Sequence, residues 1–443
     1  MDLKSPSFPS APIPKTKAEY YSLPVHVKQR IFSNLDSVNG PLFTLQHEDL
    51  TPAEEPCSVE VTKLMDYWMC GIEMLTKNFV VAFEGFKPVI KEDLTDWNTW
   101  MLNTKHRLRF EDHEMEVPVA LANYHFFKEK YDIFCSKLFL TAVTRFCEKN
   151  PRSFRFDVEV IGDKIIIEEA PVADACLSGT YFDSALTKLT DRNEKRRMFE
   201  LLKCEMGDFM CMYYSPVTLT DPKVKLEDEA EKIQEADHAE DGSEEPKTPS
   251  TSERKLTFDE GLKEFLPGIH TTEEFVDLCT KSFVITYSKV SIVEGLRYKP
   301  PSATIELIAR RKEGFNPNSL LVRWPECFFS NSTGLAVVLH SKGAVVEQPK
   351  VHKPAFPPSY KKHLTLASQL LQRLCKEIKA HATPDDTKFS LVWLDDREAN
   401  GETQKIRLYR RKESESAKRD ACLFLSDGMR KVVSRLKPRN PDN

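Results

Sequence analysis

Between Ser153 and Glu169 the chain reads as a β-hairpin, and that hairpin commits the fold to a sheet. Phe154, Phe156, Val158 and Val160 alternate with polar residues, the period of two that a half-buried strand shows. Gly162-Asp163 supplies a two-residue turn, and Ile165 to Ile167 form the returning strand.

Helical spacing surrounds this hairpin. A helix is predicted from about Pro24, a second from Val61 to Lys77, and a third over 119–149. In the third, Phe126, Phe127, Phe134, Leu138 and Phe146 read as a core face. Further on come a short helix ending at Phe265-Leu266-Pro267-Gly268 and strands near Phe283 to Tyr287 and Thr304 to Ala309. A long amphipathic helix is predicted from Lys361 to Ala380, with Leu366, Leu370, Leu374 and Ile378 on its apolar face. Another runs from about Ala421 to Leu436. Strands and helices in this mixed order make the chain α+β, with mixed central β-sheets flanked by helices.

The 443 residues are 40% hydrophobic, enough for a sizeable core, and no apolar run reaches membrane length. The Ser- and Pro-rich start lacks the apolar stretch of a signal peptide. Eleven scattered cysteines with no CxxC pair read as reduced, buried thiols. The net charge of −5 hides local asymmetry. From Leu226 to Lys247 there are ten acidic residues and two lysines, which predicts a disordered acidic insertion. Between Lys405 and Arg439 there are twelve Lys or Arg and four acids. Such a basic stretch suits either a phosphate backbone, a solvated helix face or the acidic insertion itself. The organisation that follows is a tail over 1–18, a domain in two parts over 19–222 and 255–436, the insertion over 223–254, and a tail over 437–443.

No GxGxxG, GxxxxGK[ST], HExxH or GxSxG pattern occurs, and Gly numbers only 15. His106 and His113 sit in a charged stretch and read as a solvated face. Four other stretches carry a resemblance. They are Phe156 to Glu169; Gly179-Thr180-Tyr181-Phe182-Asp183; Met206-Gly207 through Tyr213 to Pro222; and Phe265-Leu266-Pro267-Gly268 followed by Glu313-Gly314-Phe315-Asn316-Pro317-Asn318. In order and spacing, over roughly residues 154–330, they resemble the DXO-type decapping nucleases. The resemblance implies the fold of that family. It also implies a site in which carboxylates of a Glu after Gly-Tyr-Lys-Phe, a Glu-x-Asp and a Glu-x-Lys hold two Mg²⁺ or Mn²⁺ ions.

Carried over by position, those carboxylates are missing. Asp183 stands for the first Glu, one methylene shorter, and Pro216 and Thr218 replace the Glu and Asp of Glu-x-Asp. No Glu-x-Lys strand follows; the nearest candidate, Val224-Lys225-Leu226-Glu227, has its charges reversed. Phe83-Glu84-Gly85 lies where the family has Trp-Arg-Gly. The motif positions thus reduce to Gly179, Tyr181, Phe182, Asp183, Phe265, Pro267, Gly268, Gly314, Asn316 and Pro317, with no intact catalytic or metal set.

The resemblance then implies a pseudoenzyme that covers RNA 5′ ends without cutting them, in the nucleus or in nucleus and cytoplasm. A degenerate fly member of the family works beside a heterochromatin-protein-type chromodomain partner on germline piRNA precursors. A nuclear 5′–3′ exonuclease is the other partner implied. Two alternatives stay open. One is a live nuclease drawing ligands from Glu159, Glu168, Glu169, Asp221 or Glu273. The other is an adaptor, because Leu23 to Leu35 faintly resembles the opening of an F-box.

Overall fold

The computed structural model describes residues 35–36, 39–51, 57–71, 78–81, 115–123, 131–148, 154–169, 196–217, 219–220, 284–287, 290–293, 303–341, 344–345, 347, 349–384, 387–393, 405–411, 425, 427–434 and 436. The helix near Pro24, the acidic insertion and the short helix before Gly268 lie outside them, as does the F-box-like segment apart from Leu35. Leu35 is buried and bridges to Arg411.

Alternating β-formers around the Gly162 turn build β5 (Phe154–Ile161) and β6 (Lys164–Glu169), paired antiparallel as the sequence predicts. Gly162 has φ +62°, the left-handed conformation such a turn demands. Gly207 (φ +63°) closes a second hairpin, β7 (Arg196–Met206) with β8 (Phe209–Pro216). Between the hairpins, β4 (Ile133–Ser136) runs parallel to both β6 and β8. β2 (Val61–Gly71), β3 (Asn78–Val81), β11 (Val290–Val293) and β10 (Val284–Tyr287) extend this sheet beyond β7. β16 (Lys388–Trp393), β17 (Lys405–Arg410) and β1 (Phe43–Gln46) extend it beyond β5, making twelve strands among the described residues.

A second sheet, five-stranded among the described residues, starts where β8 ends. β9 (Leu219–Thr220) pairs antiparallel with β12 (Thr304–Arg311), which runs parallel to β13 (Gly334–Ser341). β14 (Ala344–Val345) and β15 (Lys350–His352) complete it against β13.

Helices cover both faces of the large sheet. On one, α1 (Glu116–Asn123) and α5 (Asp427–Val433) pack Val117, Leu121, Met429 and Val433 onto Phe134, Ile166, Phe199, Leu201, Met212 and Tyr214. On the other, α2 (Lys137–Cys147) and α4 (Tyr360–His381) pack Phe139, Phe146, Leu370 and Leu374 onto Phe156, Val158, Ile165, Ile167, Cys204 and Tyr213. A final short helix, α3 (Trp324–Phe329), lies against α2. α4 matches its predicted span within a residue at each end, and Leu366, Leu370, Leu374 and Ile378 are all buried. The strands predicted near 283–287 and 304–309 are β10 and β12, and α5 falls inside its predicted span.

Three expectations change. The helix from Val61 to Lys77 is instead β2, held between β7 and β3. Leu64 and Met65 are adjacent and both buried in the same core cluster, because the β2–β7 register shifts between Lys63 and Met65; a bulge there breaks the alternation that would have marked the strand. The single helix over 119–149 is α1, then β4, then α2, with Phe126 and Phe127 outside the described residues. β4 is four residues long and wholly buried, too short to display a period. Phe134 therefore faces α1, Phe146 faces the opposite core, and Leu138 is exposed. The hairpin is not half-buried either: Arg155, Asp157 and Glu159 are as buried as the apolar residues between them.

Seven cysteines whose side chains are described are free; burial first of all pushes the thiols of Cys135, Cys147, Cys327 and Cys375 up, Cys327 to about 12, and at Cys211 the hydrogen bond with Cys204 is the larger cause. Among the described residues no helix is long and apolar enough to cross a membrane. Leu370, fully enclosed, should cost about 2–5 kcal/mol on replacement by Ala, whereas Leu138→Ala should stay within about 0.5 kcal/mol. Denaturant unfolding of the two variants checks this contrast.

Candidate functional site

β8 ends at Pro216, which lies opposite Phe199 of β7. Proline has no N–H to give a ladder, so it suits a strand's last position. Its ring is exposed while Tyr214, Ser215 and Val217 beside it are buried. This position offers no oxygen from its side chain. Asp183 and Thr218 lie outside the described residues, as do Gly179, Tyr181, Phe182, Phe265, Pro267 and Gly268.

Gly314, Asn316 and Pro317 are described, and they build a turn. Gly314 has φ +75° and open space around it. Asn316 caps the 3-10 turn Pro317–Arg323, its side chain accepting from the Asn318 amide at 2.9 Å, with Pro317 at the first helical position. This turn leads from β12 into α3. The motif therefore serves to orient α3.

Two polar clusters flank the end of β8, one on each face of the sheet. On the α1 face, the Tyr214 hydroxyl donates to Glu168 at 3.0 Å. Across the hairpin from Glu168, Asp157 is bound by Arg155 at 2.8 Å, by Arg411 at 3.3 Å and by the Ser390 hydroxyl. Glu159 is bound by Arg430 at 2.7 Å. Burial raises the Glu159 carboxyl above its ordinary range, and Arg430, Lys388 and Arg411 oppose that push. Of the other reserve acids, Glu169 is exposed, and Asp221 and Glu273 lie outside the described residues.

The opposite face carries a cluster that the sequence reading missed. Lys63 of β2 binds Glu200 of β7 at 2.7 Å, both almost wholly buried, and donates to the Thr304 hydroxyl at the start of β12. Glu200 faces Ser215 across the ladder, one residue before Pro216. Burial pushes the Glu200 carboxyl up, and Lys63 and Lys137 offset part of that push. Lys137 of α2 binds Glu306 of β12. Burial alone would lower Lys137, but Glu306, with Glu200 and Glu326 behind it, raises it overall. Arg145 of α2 and Arg323 both bind Glu326 of α3. The only signal in the sequence was a charged residue set among apolar ones, as at Lys63 and Glu200.

These ion pairs hold the large sheet, the small sheet and α3 together. They also engage each of these carboxylates, although Glu326 is held through Oε1 and its Oε2 is buried without a hydrogen bond. Among the described residues no three His, Cys, Asp or Glu side chains form a group that could hold a metal ion. A two-metal centre needs several free inward-facing oxygens, and the described residues do not fit one.

Lys63→Met strands Glu200 as a buried unpaired charge and should cost about 3–5 kcal/mol, much of it recovered in Lys63→Met/Glu200→Met. Equilibrium unfolding of the single and double variants measures both. Burial works to raise Glu326, but Arg145 and Arg323 overcome it and hold the carboxyl below its ordinary 4.5. A depressed carboxyl stabilises the fold above its unfolded value, and that contribution is lost as pH falls below 4.5 toward the folded value. Stability followed from pH 6 to pH 3 should therefore fall less steeply in Glu326→Gln than in wild type.

No family model and no curated protein matches the sequence. Among solved structures, Scheffersomyces stipitis Rai1 in complex with (3′-NADP)⁺ and calcium matches with a TM-score of 0.50 at 9% identity, over 88% of this chain and 99% of that one. Schizosaccharomyces pombe Rai1 with 3′-FADP gives 0.47 at 12%, over 83% and 99%. Kluyveromyces lactis Dxo1 with manganese gives 0.44 at 9%, over 84% and 98%. At these identities the likeness is one of fold: mixed sheets and helices in the arrangement of a Rai1-type, decapping-nuclease-like protein.

Proposed function

We propose that this chain is a decapping-nuclease-like pseudoenzyme that binds RNA 5′ ends and shields them without cutting. The observation that carries the reading is Pro216, a side chain without an oxygen at the position where the family has the first acid of Glu-x-Asp. Thr218 in place of the second acid and the absence of a Glu-x-Lys strand support it. So does the cation partnered to each of Asp157, Glu159, Glu200, Glu306 and Glu326. One remaining carboxylate, Asp183, is too little to hold Mg²⁺ against its hydration. The S. stipitis Rai1 complex supports a nucleotide-binding role for the fold, since that protein holds a 3′-phosphorylated dinucleotide.

In this reading the chain covers transcripts in the nucleus, against decapping, exonucleolytic decay and termination. It is similar in kind to Cutoff, the degenerate fly member of the family. Germline piRNA precursors are then the RNA class, and a heterochromatin-protein-type protein or a nuclear 5′–3′ exonuclease the partner.

Purified protein incubated with capped and 5′-triphosphate RNA plus Mg²⁺ or Mn²⁺ tests the proposal. RNA should bind with a steep salt dependence and return intact. Shortened or decapped product that disappears in Asp183→Ala would show a live nuclease instead.

A further inference from the structure

Glu306, Ile308 and Arg310 occupy alternate positions of β12 and so project from one face of the small sheet. The Pro317–Arg323 turn and α3 pack on that face, with Leu320 and Cys327 against Leu335 and Val337. α2 closes the site from the large sheet. This arrangement collects four cations, Lys137, Arg145, Arg310 and Arg323, around three carboxylates, Glu148, Glu306 and Glu326. The Lys63–Glu200 pair beside Lys137 is neutral in itself.

The pairing inside the cluster is uneven. Arg145 and Arg323 both reach the same oxygen, Glu326 Oε1. The Nε atoms of Arg145 and Arg323 are buried and have no hydrogen-bond acceptor, although the Arg145 side chain is only 5% exposed. Arg310 is half-buried, and among the described residues its side chain makes no hydrogen bond or salt bridge. Burial, then Arg323, hold its guanidinium below the ordinary arginine value, with Arg145 adding to that and Glu326 pulling the other way. Open N–H groups from guanidiniums, with positive charge in excess by one, are the complement of a phosphate. Planar guanidinium forks bind phosphate oxygens in pairs, and partial burial strengthens each bond.

We propose that Arg145, Arg310 and Arg323 form a phosphate-binding site on the α2 side of the molecule, with Arg310 as the residue left free to clasp the ligand. The site goes beyond the 5′-end reading, because it needs only a phosphate group and Pro216 has no part in it. That phosphate belongs either to an internal RNA linkage or to a small phosphorylated compound, and two probes separate the sources.

The full-length protein is titrated with inorganic pyrophosphate by calorimetry and thermal shift. In parallel it is titrated with a single-stranded oligoribonucleotide that carries a 5′-hydroxyl and so offers no 5′ phosphate. Each is repeated with Arg310→Gln. Without ligand, the variant should be at least as stable as wild type, because Arg310 has no partner to lose and is repelled where it stands. Pyrophosphate should raise the melting temperature of wild type, and its affinity should fall about tenfold in Arg310→Gln. A matching loss for the oligoribonucleotide, with the salt slope reduced by about one, assigns the site to the RNA backbone. A loss for pyrophosphate alone assigns it to a small phosphorylated compound. The proposal is overturned if neither probe stabilises wild type, or if Arg310→Gln binds both as well as wild type does. It is equally overturned if the unliganded variant is destabilised, since Arg310 would then be held by the fold and not left for a ligand.

Discussion

A sheet buried on both faces obliges every charge on it to find a partner. β5, β7 and β8 are covered by α2 and α4 on one side and by α1 and α5 on the other. The buried carboxylates they carry cannot face water, so each is matched by a cation: Asp157 by Arg155 and Arg411, Glu159 by Arg430, Glu200 by Lys63, whereas Glu205 near the end of β7 is exposed. A nuclease of this fold needs the opposite arrangement, with carboxylates held near one another and released from protein cations so that metal ions can take their place. The same acids cannot serve both purposes at once.

The ion pairs also explain how the parts cohere. Lys63–Glu200 ties β2 to β7 and reaches Thr304 at the head of the small sheet. Lys137–Glu306 and Arg145–Glu326 tie α2 to β12 and α3. Such buried pairs contribute little net stability against an apolar replacement, yet breaking one costs several kcal/mol, roughly 3–5. They fix which elements sit together more than how tightly. Around Glu326 the pairing is overfilled with cations, and there the network has capacity for an outside anion.

Much of the fold was legible in the sequence where a period survived burial. α4 shows its 3.6-residue period plainly because one face meets solvent, and the Gly162 hairpin declares itself through its turn. β4 was misread because a four-residue strand covered on both sides shows no period, and β2 because a bulge after Lys63 breaks its alternation. On β5 the alternation was real but meant something else. It separates an apolar layer under α2 and α4 from an ion-paired layer on the α1 face, both of them buried. Gly314, Asn316 and Pro317 were legible as a motif, and the structure makes them a turn and a helix cap. The inter-sheet cluster left almost no trace in the sequence, since Lys63, Glu200, Glu306 and Glu326 are far apart in the chain and meet only through topology.

The account's central claim is that the acids of this fold are committed to protein cations and not to metal. Electron paramagnetic resonance of free Mn²⁺ titrated with the purified chain tests it without any choice of RNA substrate. The account predicts that the hexaaqua Mn²⁺ signal persists, with no saturable site. Loss of that signal at one or two ions per chain, restored by Asp183→Ala, would contradict it.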